Sequence, residues 1–108
     1  MIVSLDSDDD MHDHLRGIKG LRKKIITGIE KVRNSTNVII NTVIFNQNLD
    51  KIEKMIELAD ELGVSITFEP MAIYKGYNDH LAPSREELIK AFRTILKYKK
   101  LKYNIGNS

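Results

Sequence analysis

The chain has 108 residues, of which 42% are hydrophobic and 30% charged, and its formal net charge is +2 at pH 7. A chain of this length forms one modest hydrophobic core, so residues 1–108 are expected to be a single domain. The small net charge and an aromatic content of 6% without Trp argue against a nucleic-acid-binding protein.

Cysteine does not occur in the sequence. Disulfides, thiolate-bound zinc, thiol catalysis and an iron–sulfur cluster held by cysteines of this chain alone are therefore excluded. The chain opens without the basic and apolar regions of a signal peptide, and no apolar run reaches the roughly 18 residues that a membrane span needs. These features predict a cytoplasmic protein that does not contact a membrane.

The first half of the chain predicts two strands and one helix. Ile2–Leu5 is an apolar strand, and apolar residues recur at helical spacing over 21–33. Residues 38–45 are mostly β-branched, with Asn41 and Thr42 as the polar interruptions. A strand of this composition is typical of a parallel sheet, where both of its faces are buried.

The second half predicts two more helices with a strand between them. Asn48 is the expected N-cap of a helix over 49–62, which Gly63 ends in a left-handed conformation. A strand follows over 64–69, and Pro70 is expected to stop it. A long loop over 71–83 then leads to the third helix.

The third helix begins with a capping box formed by Ser84 and Glu87. Its expected inward residues share helical spacing and are Leu88, Ile89, Phe92, Ile95 and Leu96. Strands that alternate with helices in this way predict an α/β fold of three successive βα units with a parallel sheet. Residues 101–108 resemble the approach to a further strand.

Polar residues follow the predicted strands, where parallel sheets carry their sites. Ser4 and Asp6 end the first strand, and five Asp and no Lys or Arg occur within residues 1–15. The alternating Asp6, Asp8 and Asp10 suggest calcium ligands, but the Gly and Glu of an EF-hand loop are missing from their required positions. A metal site at His12 and His14 is a weaker alternative than a solvated acidic loop.

Several motifs together resemble those of radical S-adenosylmethionine enzymes. In chain order they are Val3-Ser4-Leu5-Asp6, His12-Asp13-x-x-Arg16-Gly17-x-x-Gly20, Asn41-Thr42-Val43, Leu62-Gly63-Val64 and Phe68-Glu69-Pro70. No single motif is specific, and the resemblance depends on their order and spacing. It implies that residues 1–108 correspond to the fourth to sixth βα units of a partial TIM barrel.

The resemblance also implies the cofactors. In the family, a C-x-x-x-C-x-x-C segment holds a [4Fe-4S] cluster that binds S-adenosylmethionine and cleaves it to a 5′-deoxyadenosyl radical. Because this chain has no cysteine, the cluster would have to come from a missing segment or a partner chain. Catalysis by these residues alone is not expected.

By the same resemblance, five residues are candidates for contacts to S-adenosylmethionine: Ser4, Asp6, Arg16, Asn41 and Glu69. Each has a plain structural alternative. Asn41 could be a hydrogen-bonded core amide or a residue at the end of a strand ladder. Asp6 could cap the following turn, and Arg16 could do no more than pair with Asp10 or Asp13. The loop with Tyr74, Tyr77 and His80 lies where a barrel recognises its substrate, although an ordinary surface loop is the simpler interpretation.

Two functional hypotheses remain open from the sequence. The first is a part of a radical S-adenosylmethionine enzyme core that contributes cofactor and substrate contacts. The second is a non-catalytic half-barrel that acts as a homodimer or supports a partner chain, because three parallel strands leave two open edges. A flavodoxin-like nucleotide-binding domain is weaker, since no glycine-rich phosphate loop is present. The sequence does not predict the substrate.

Overall fold

The computed structural model describes residues 1–5 and 20–106, with the side chain of Leu21 excepted. Its main elements alternate as predicted: β1 (Ile2–Ser4), α1 (Leu21–Val32), β2 (Ile39–Ile44), α2 (Ile52–Leu62), β3 (Ser65–Pro70) and α3 (Arg85–Lys100). Short 3-10 turns lie at Leu49–Lys51 and Asp79–Leu81. The predicted α/β fold of successive βα units is confirmed.

The three strands form one parallel sheet in the order β1–β2–β3. Val3 pairs with Ile40 and Ile40 with Ile66, so one row of residues crosses the whole sheet. Each strand lies beside the next one in the chain. This order lacks the reversal that defines a doubly wound nucleotide-binding sheet, and it therefore argues against the flavodoxin-like alternative.

The hydrophobic core lies on one face of the sheet. On β2 and β3 the buried side chains alternate with half-exposed or exposed ones, and those of Ile40, Ile44, Ile66 and Phe68 pack against the helices. The prediction that residues 38–45 are buried on both faces was wrong. All three helices lie against the same face, so side chains such as Asn41 on the opposite face stay half-exposed.

The second helix begins later than predicted. Residues 49–51 form a 3-10 turn, and the α-helix runs from Ile52 to Leu62 before Gly63 ends it with a φ of 71°. Asn48 occupies the cap position of the turn but makes no side-chain capping bond. The Asn48 amide instead bonds back to the end of β2, which corrects its predicted role.

Strand β3 ends one residue later than predicted. Pro70 is its last residue and pairs with Ile44 on β2. The next amide, that of Met71, donates to the Ile44 carbonyl at 3.0 Å. Proline has no backbone N–H and cannot donate a hydrogen bond to the neighbouring strand. It is compatible with this position because the strand ends here.

The capping box of α3 is confirmed, with the Glu87 amide donating to Ser84 Oγ at 3.1 Å and the Ser84 amide donating to Glu87 Oε1 at 2.8 Å. Ile95 is buried and Leu88 and Phe92 pack against the core. Ile89 and Leu96 were wrongly predicted to point inward, since 42% and 54% of their surfaces are exposed. The face of α3 that contacts the core is therefore narrower than the apolar stripe in its sequence.

Tyr98 connects α3 to α2. Its half-buried ring meets that of Tyr103 edge to face, with centroids 5.1 Å apart. Burial raises the pKa of the Tyr98 hydroxyl, and the negative charges of Glu53 and Glu57 raise this pKa further. The hydroxyl bonds to the Glu53 carboxylate, so the protonated form of Tyr98 joins the two helices.

Residues after α3, which were predicted to approach a further strand, return to the sheet and form a single bridge to β3. The Ile66 amide donates to the Asn104 carbonyl at 3.1 Å, and the Gly106 amide donates to the Ile66 carbonyl at 2.8 Å. Ile105 therefore forms a parallel bridge to Ile66 and partly covers the outer edge of β3. Over the part of the chain that the structure describes, no helix is long and apolar enough to cross a membrane.

Candidate functional site

The face of the sheet opposite the helices carries a row of small and polar residues. Ser4 on β1 pairs with Asn41 on β2, and Asn41 pairs with Thr67 on β3. Paired residues of parallel strands point to the same side of the sheet. Two of the predicted site residues, Ser4 and Asn41, are therefore neighbours on one face.

Asn41 is held by two side chains of β3. Thr67 Oγ1 donates to Asn41 Oδ1 at 2.9 Å. Asn41 Nδ2 donates to Glu69 Oε1, also at 2.9 Å. The Thr67 hydroxyl and the Glu69 carboxylate together fix which side of the Asn41 amide carries oxygen and which carries nitrogen, because a carboxylate accepts but does not donate.

This arrangement brings the third predicted residue, Glu69, to the same place. Asn41 and Glu69 each retain hydrogen-bonding capacity, because an amide has two N–H groups and a carboxylate has two oxygens. Asn41 is half-exposed and Glu69 exposed. The Asn41 side chain thus lies on the face of the sheet opposite the helices, and its contact to S-adenosylmethionine stays a prediction.

Gly106 extends the row beyond β3. A Cβ atom at this position would come within 2.9 Å of Thr67 Cγ2, closer than real side chains approach. Glycine is therefore required where residues 104–106 pair with Ile66, because the methyl group of Thr67 occupies the space that a side chain would need. The row Ser4, Asn41, Thr67 and Gly106 consists of small and polar residues.

Two buried polar side chains, those of Thr42 and Asn48, fix the carboxyl ends of β1 and β2. Thr42 Oγ1 donates to the Leu5 carbonyl at 2.7 Å, which fixes the end of β1 before residue 6. Asn48 Oδ1 accepts from the Phe45 amide at 3.0 Å, and Asn48 Nδ2 donates to the Val43 carbonyl at 2.8 Å. Both residues are only 1% exposed, so they organise the strand ends from within the protein.

The other predicted positions lie outside the described residues. Asp6 and Arg16 are among them, as are His12 and His14 with the alternating acidic residues. Residues 1–5 and 20–106 contain no group of three or more His, Cys, Asp or Glu side chains that could hold a metal ion. The predicted contacts of Asp6 and Arg16 remain predictions.

Thr67 and Gly106 are the site residues that sequence reasoning missed. Thr67 stands two residues before Glu69 on one strand, so strand periodicity places both on the same face. That spacing was a usable signal. Gly106 gave no comparable signal, because the pairing of residues 104–106 with β3 depends on the fold.

The loop over 71–83 lies at the carboxyl ends of the strands. The Asn46 amide donates to the Leu81 carbonyl at 2.9 Å, and Asn46 Nδ2 donates to the His80 carbonyl at 2.8 Å. These bonds fasten the loop to the carboxyl end of β2. The loop therefore lies at the edge where open α/β sheets and barrels bind their ligands, whereas Asn41 and Thr67 lie near the middle of β2 and β3, and Glu69 lies between them and that edge.

The fold belongs to a known class of structures. SuiB from Streptococcus suis matches the chain with a TM-score of 0.76 at 16% sequence identity, over 96% of this chain and 25% of SuiB. A second SuiB structure, with S-adenosylmethionine bound, matches with a TM-score of 0.68 at 17% identity over the same shares. At this level of identity the likeness concerns the fold.

A sequence relative points in the same direction. The chain is 40% identical over 63 residues to the AdoMet-dependent heme synthase of Methanosarcina barkeri (strain Fusaro / DSM 804). The match covers 56% of this chain and 18% of the synthase. No protein-family model matches the chain. The predicted resemblance to radical S-adenosylmethionine enzymes is confirmed, and the chain spans a quarter or less of the length of these relatives.

Proposed function

We propose that this chain is the cofactor-contacting part of a radical S-adenosylmethionine protein and corresponds to the fourth to sixth βα units of its TIM-type barrel. The observation that carries the proposal is the pairing of Ser4, Asn41 and Glu69 on the open face of the sheet. The sequence and fold relatives support it. Substrate and reaction would depend on the rest of the protein.

The side chains on this face suit S-adenosylmethionine. A carboxylate such as Glu69 attracts the positively charged amino and sulfonium groups, and the Asn41 amide and Ser4 hydroxyl offer donors and acceptors for the polar groups of the nucleoside. In the family, bound S-adenosylmethionine supplies a 5′-deoxyadenosyl radical. Under this proposal, the residues of this chain bind and orient S-adenosylmethionine.

The [4Fe-4S] cluster does not fit the residues of this chain. Such clusters are held by cysteine thiolates, and the sequence has none. Under this proposal the three thiolates come from a further segment or from a partner chain. Residues 1–108 alone are expected to bind S-adenosylmethionine weakly and to perform no turnover.

Replacing Asn41 with Ala is expected to raise the dissociation constant for S-adenosylmethionine by about tenfold, since one polar contact is lost and Glu69 loses its amide partner. Isothermal titration calorimetry with the 108-residue chain measures this change. Asn34→Ala is the matched control, because Asn34 is exposed and lies in the turn that precedes β2, away from the site. Equal affinities of wild type and Asn41→Ala would contradict the proposed site.

Anaerobic reconstitution tests the second half of the proposal. Iron and sulfide added to the isolated chain are expected to give no cluster absorbance. An intact cluster on this chain alone would contradict the proposal that the thiolates come from a further segment or a partner chain.

A second candidate function is a non-catalytic module that associates with itself or with a partner through the edge of the sheet. Among the strands that the structure describes, none pairs with the outer edge of β1. Ile2 on this edge strand is 71% exposed and Met1 is 53% exposed. An uncovered parallel edge with exposed apolar side chains favours pairing with another chain.

This candidate predicts a homodimer in solution. Light scattering coupled to size-exclusion chromatography is expected to give twice the chain mass, and Ile2→Lys is expected to shift the protein to a monomer because edge lysines oppose strand pairing. Ile89→Lys, an equally apolar exposed position on α3, serves as the control. A monomeric wild type at high concentration would remove the basis of this candidate.

A further inference from the structure

Thr67 lies between two neighbours that together fix its side chain. Its methyl group lies beside Gly106, where an added Cβ atom would come within 2.9 Å of Thr67 Cγ2. Its hydroxyl lies on the side of β2 and donates to Asn41 Oδ1 at 2.9 Å. Because both groups stand on one carbon, a rotation about χ1 that moves the methyl group also moves the hydroxyl. The main chain at Gly106 therefore helps to decide where the Thr67 hydroxyl lies.

Glu69 is positioned at the other end of the same set of contacts. Its side chain is exposed and long, so it loses rotational freedom when the carboxylate is held in one place. Asn41 Nδ2 holds it by donating to Glu69 Oε1 at 2.9 Å. Thr67 is half-buried and stiff at χ1, whereas Glu69 is neither. Positional order is therefore transmitted from Thr67 through Asn41 to Glu69.

The positioned amide and carboxylate present a defined combination of groups on the open face of the sheet. Asn41 keeps a second N–H group and Glu69 keeps a second carboxylate oxygen. A donor beside an anionic oxygen is complementary to a ligand that carries an acceptor beside a positively charged group. A mobile Asn41 amide would present these two groups in many relative positions, and part of the binding free energy would then be spent on ordering them.

We propose that Thr67 is the positioning residue of the cofactor site and that Gly106 sets the rotamer of Thr67. Thr67 acts through Asn41 and does not itself contact the ligand. The inference rests on the proposed function, because Asn41 and Glu69 are the residues proposed to contact S-adenosylmethionine. It adds two residues on which the affinity of that site depends.

Mobility of the Asn41 side chain tests the first step without any ligand. The ¹⁵N relaxation of its amide group, measured by NMR, reports motion on the picosecond to nanosecond timescale. Restricted motion is expected in the wild type and in Thr67→Ser, which keeps the hydroxyl. Greater motion is expected in Thr67→Val, which replaces the hydroxyl by a methyl group. Thr94→Val is the matched control, because Thr94 is also half-buried and its hydroxyl bonds within α3, to the Lys90 carbonyl.

The contact between Thr67 and Gly106 permits a rescue experiment. Gly106→Ala is expected to turn the Thr67 side chain away from its new Cβ atom and so to release the Asn41 amide. Gly106 is not among the residues with a positive φ, so alanine is compatible with its backbone. Adding Thr67→Ser removes the methyl group and keeps the hydroxyl, so the double variant is expected to restore restricted motion. Gly28→Ala in α1 is the control, because a Cβ atom there has open space.

Affinity for S-adenosylmethionine, measured by NMR titration of the 108-residue chain, tests the second step. The dissociation constant is expected to rise about three- to tenfold in Thr67→Val and in Gly106→Ala, and to stay within about twofold of wild type in Thr67→Ser and in the double variant. Wild-type affinity in Thr67→Val would overturn the inference. So would a double variant as impaired as Gly106→Ala alone.

Failure of this inference is distinguishable from failure of the proposed function. Absence of S-adenosylmethionine binding to the wild-type chain would contradict the proposed function. The relaxation of the Asn41 amide, measured without ligand, would still decide whether Thr67 and Gly106 position it. Equal mobility of this amide in the wild type and in Thr67→Val would overturn the inference on its own.

Discussion

Replacing Ile40 with Ala is expected to lower the free energy of unfolding by about 2–5 kcal/mol. Ile40 lies in the central strand, is 0% exposed and pairs with both neighbouring strands. The substitution removes three buried carbon atoms and leaves a cavity that strands on both sides keep from collapsing. Since small domains are stable by only about 5–15 kcal/mol, this one change consumes a large part of the total.

Urea denaturation followed by circular dichroism measures this loss. Ile2→Ala is the matched control, because it removes the same atoms from a strand position that is 71% exposed. Its cost is expected to be within about 0.5 kcal/mol. If Ile2→Ala and Ile40→Ala were equally destabilising, the assignment of the core to the helix face of the sheet would be wrong.

Replacing Asn48 with Ala is expected to cost about 2–4 kcal/mol, the second largest effect. Asn48 is 1% exposed, and its amide satisfies the Phe45 N–H and the Val43 carbonyl at the end of β2. Alanine would leave both backbone groups without these bonds in an environment that water enters poorly, and each unsatisfied group costs about 1–3 kcal/mol. The same denaturation measurement reports the change.

Asn46→Ala is the control, because it removes an exposed side-chain amide whereas Asn48→Ala removes a buried one. Asn46 is exposed and donates its side-chain hydrogen bond to the His80 carbonyl, where water can replace it. Its expected cost is about 0.5–1 kcal/mol. A smaller effect for Asn48→Ala than for Asn46→Ala would show that the turn after β2 does not depend on the buried amide.

Sequence periodicity predicted the elements well because each has a clear local signal. The first helix was expected over 21–33 and runs over Leu21–Val32, and the capping box at Ser84 marked the start of α3. Such signals are local: apolar spacing, a cap and a terminal glycine depend on a few neighbouring residues. The parallel order of the strands followed from their alternation with helices.

The errors concern features that depend on the whole fold. A strand rich in β-branched residues, such as β2, has the same composition whether one or both of its faces are buried. Only the position of the helices decides how many faces are buried. The side-chain amide of Asn48 can bond to the backbone groups of a turn as readily as to those at a helix end. Its position in the sequence does not distinguish the two roles. Ile89 and Leu96 have the spacing of core residues, but they lie on a flank of α3 that does not contact the core.

The candidate site was predicted in part. Ser4, Asn41 and Glu69 were named from the resemblance to radical S-adenosylmethionine enzymes, and the structure places them on one face of the sheet. Thr67 was missed because a threonine within a strand is ordinary. The roles of Asp6 and Arg16 depend on a segment outside the described residues.

The alternation of buried and open positions along β2 also limits how this protein tolerates changes in length. Ile40 and Asn41 are adjacent yet face opposite sides, so inserting or deleting one residue within the strand would turn every following side chain over. The side chain of Asn41, which now bonds to Glu69, would point into the hydrophobic core. An isoleucine side chain would take its place on the open face of the sheet. Insertions and deletions in related natural sequences are therefore expected in the turn over 34–37. An added residue there does not change which side chains of β2 point to each face of the sheet.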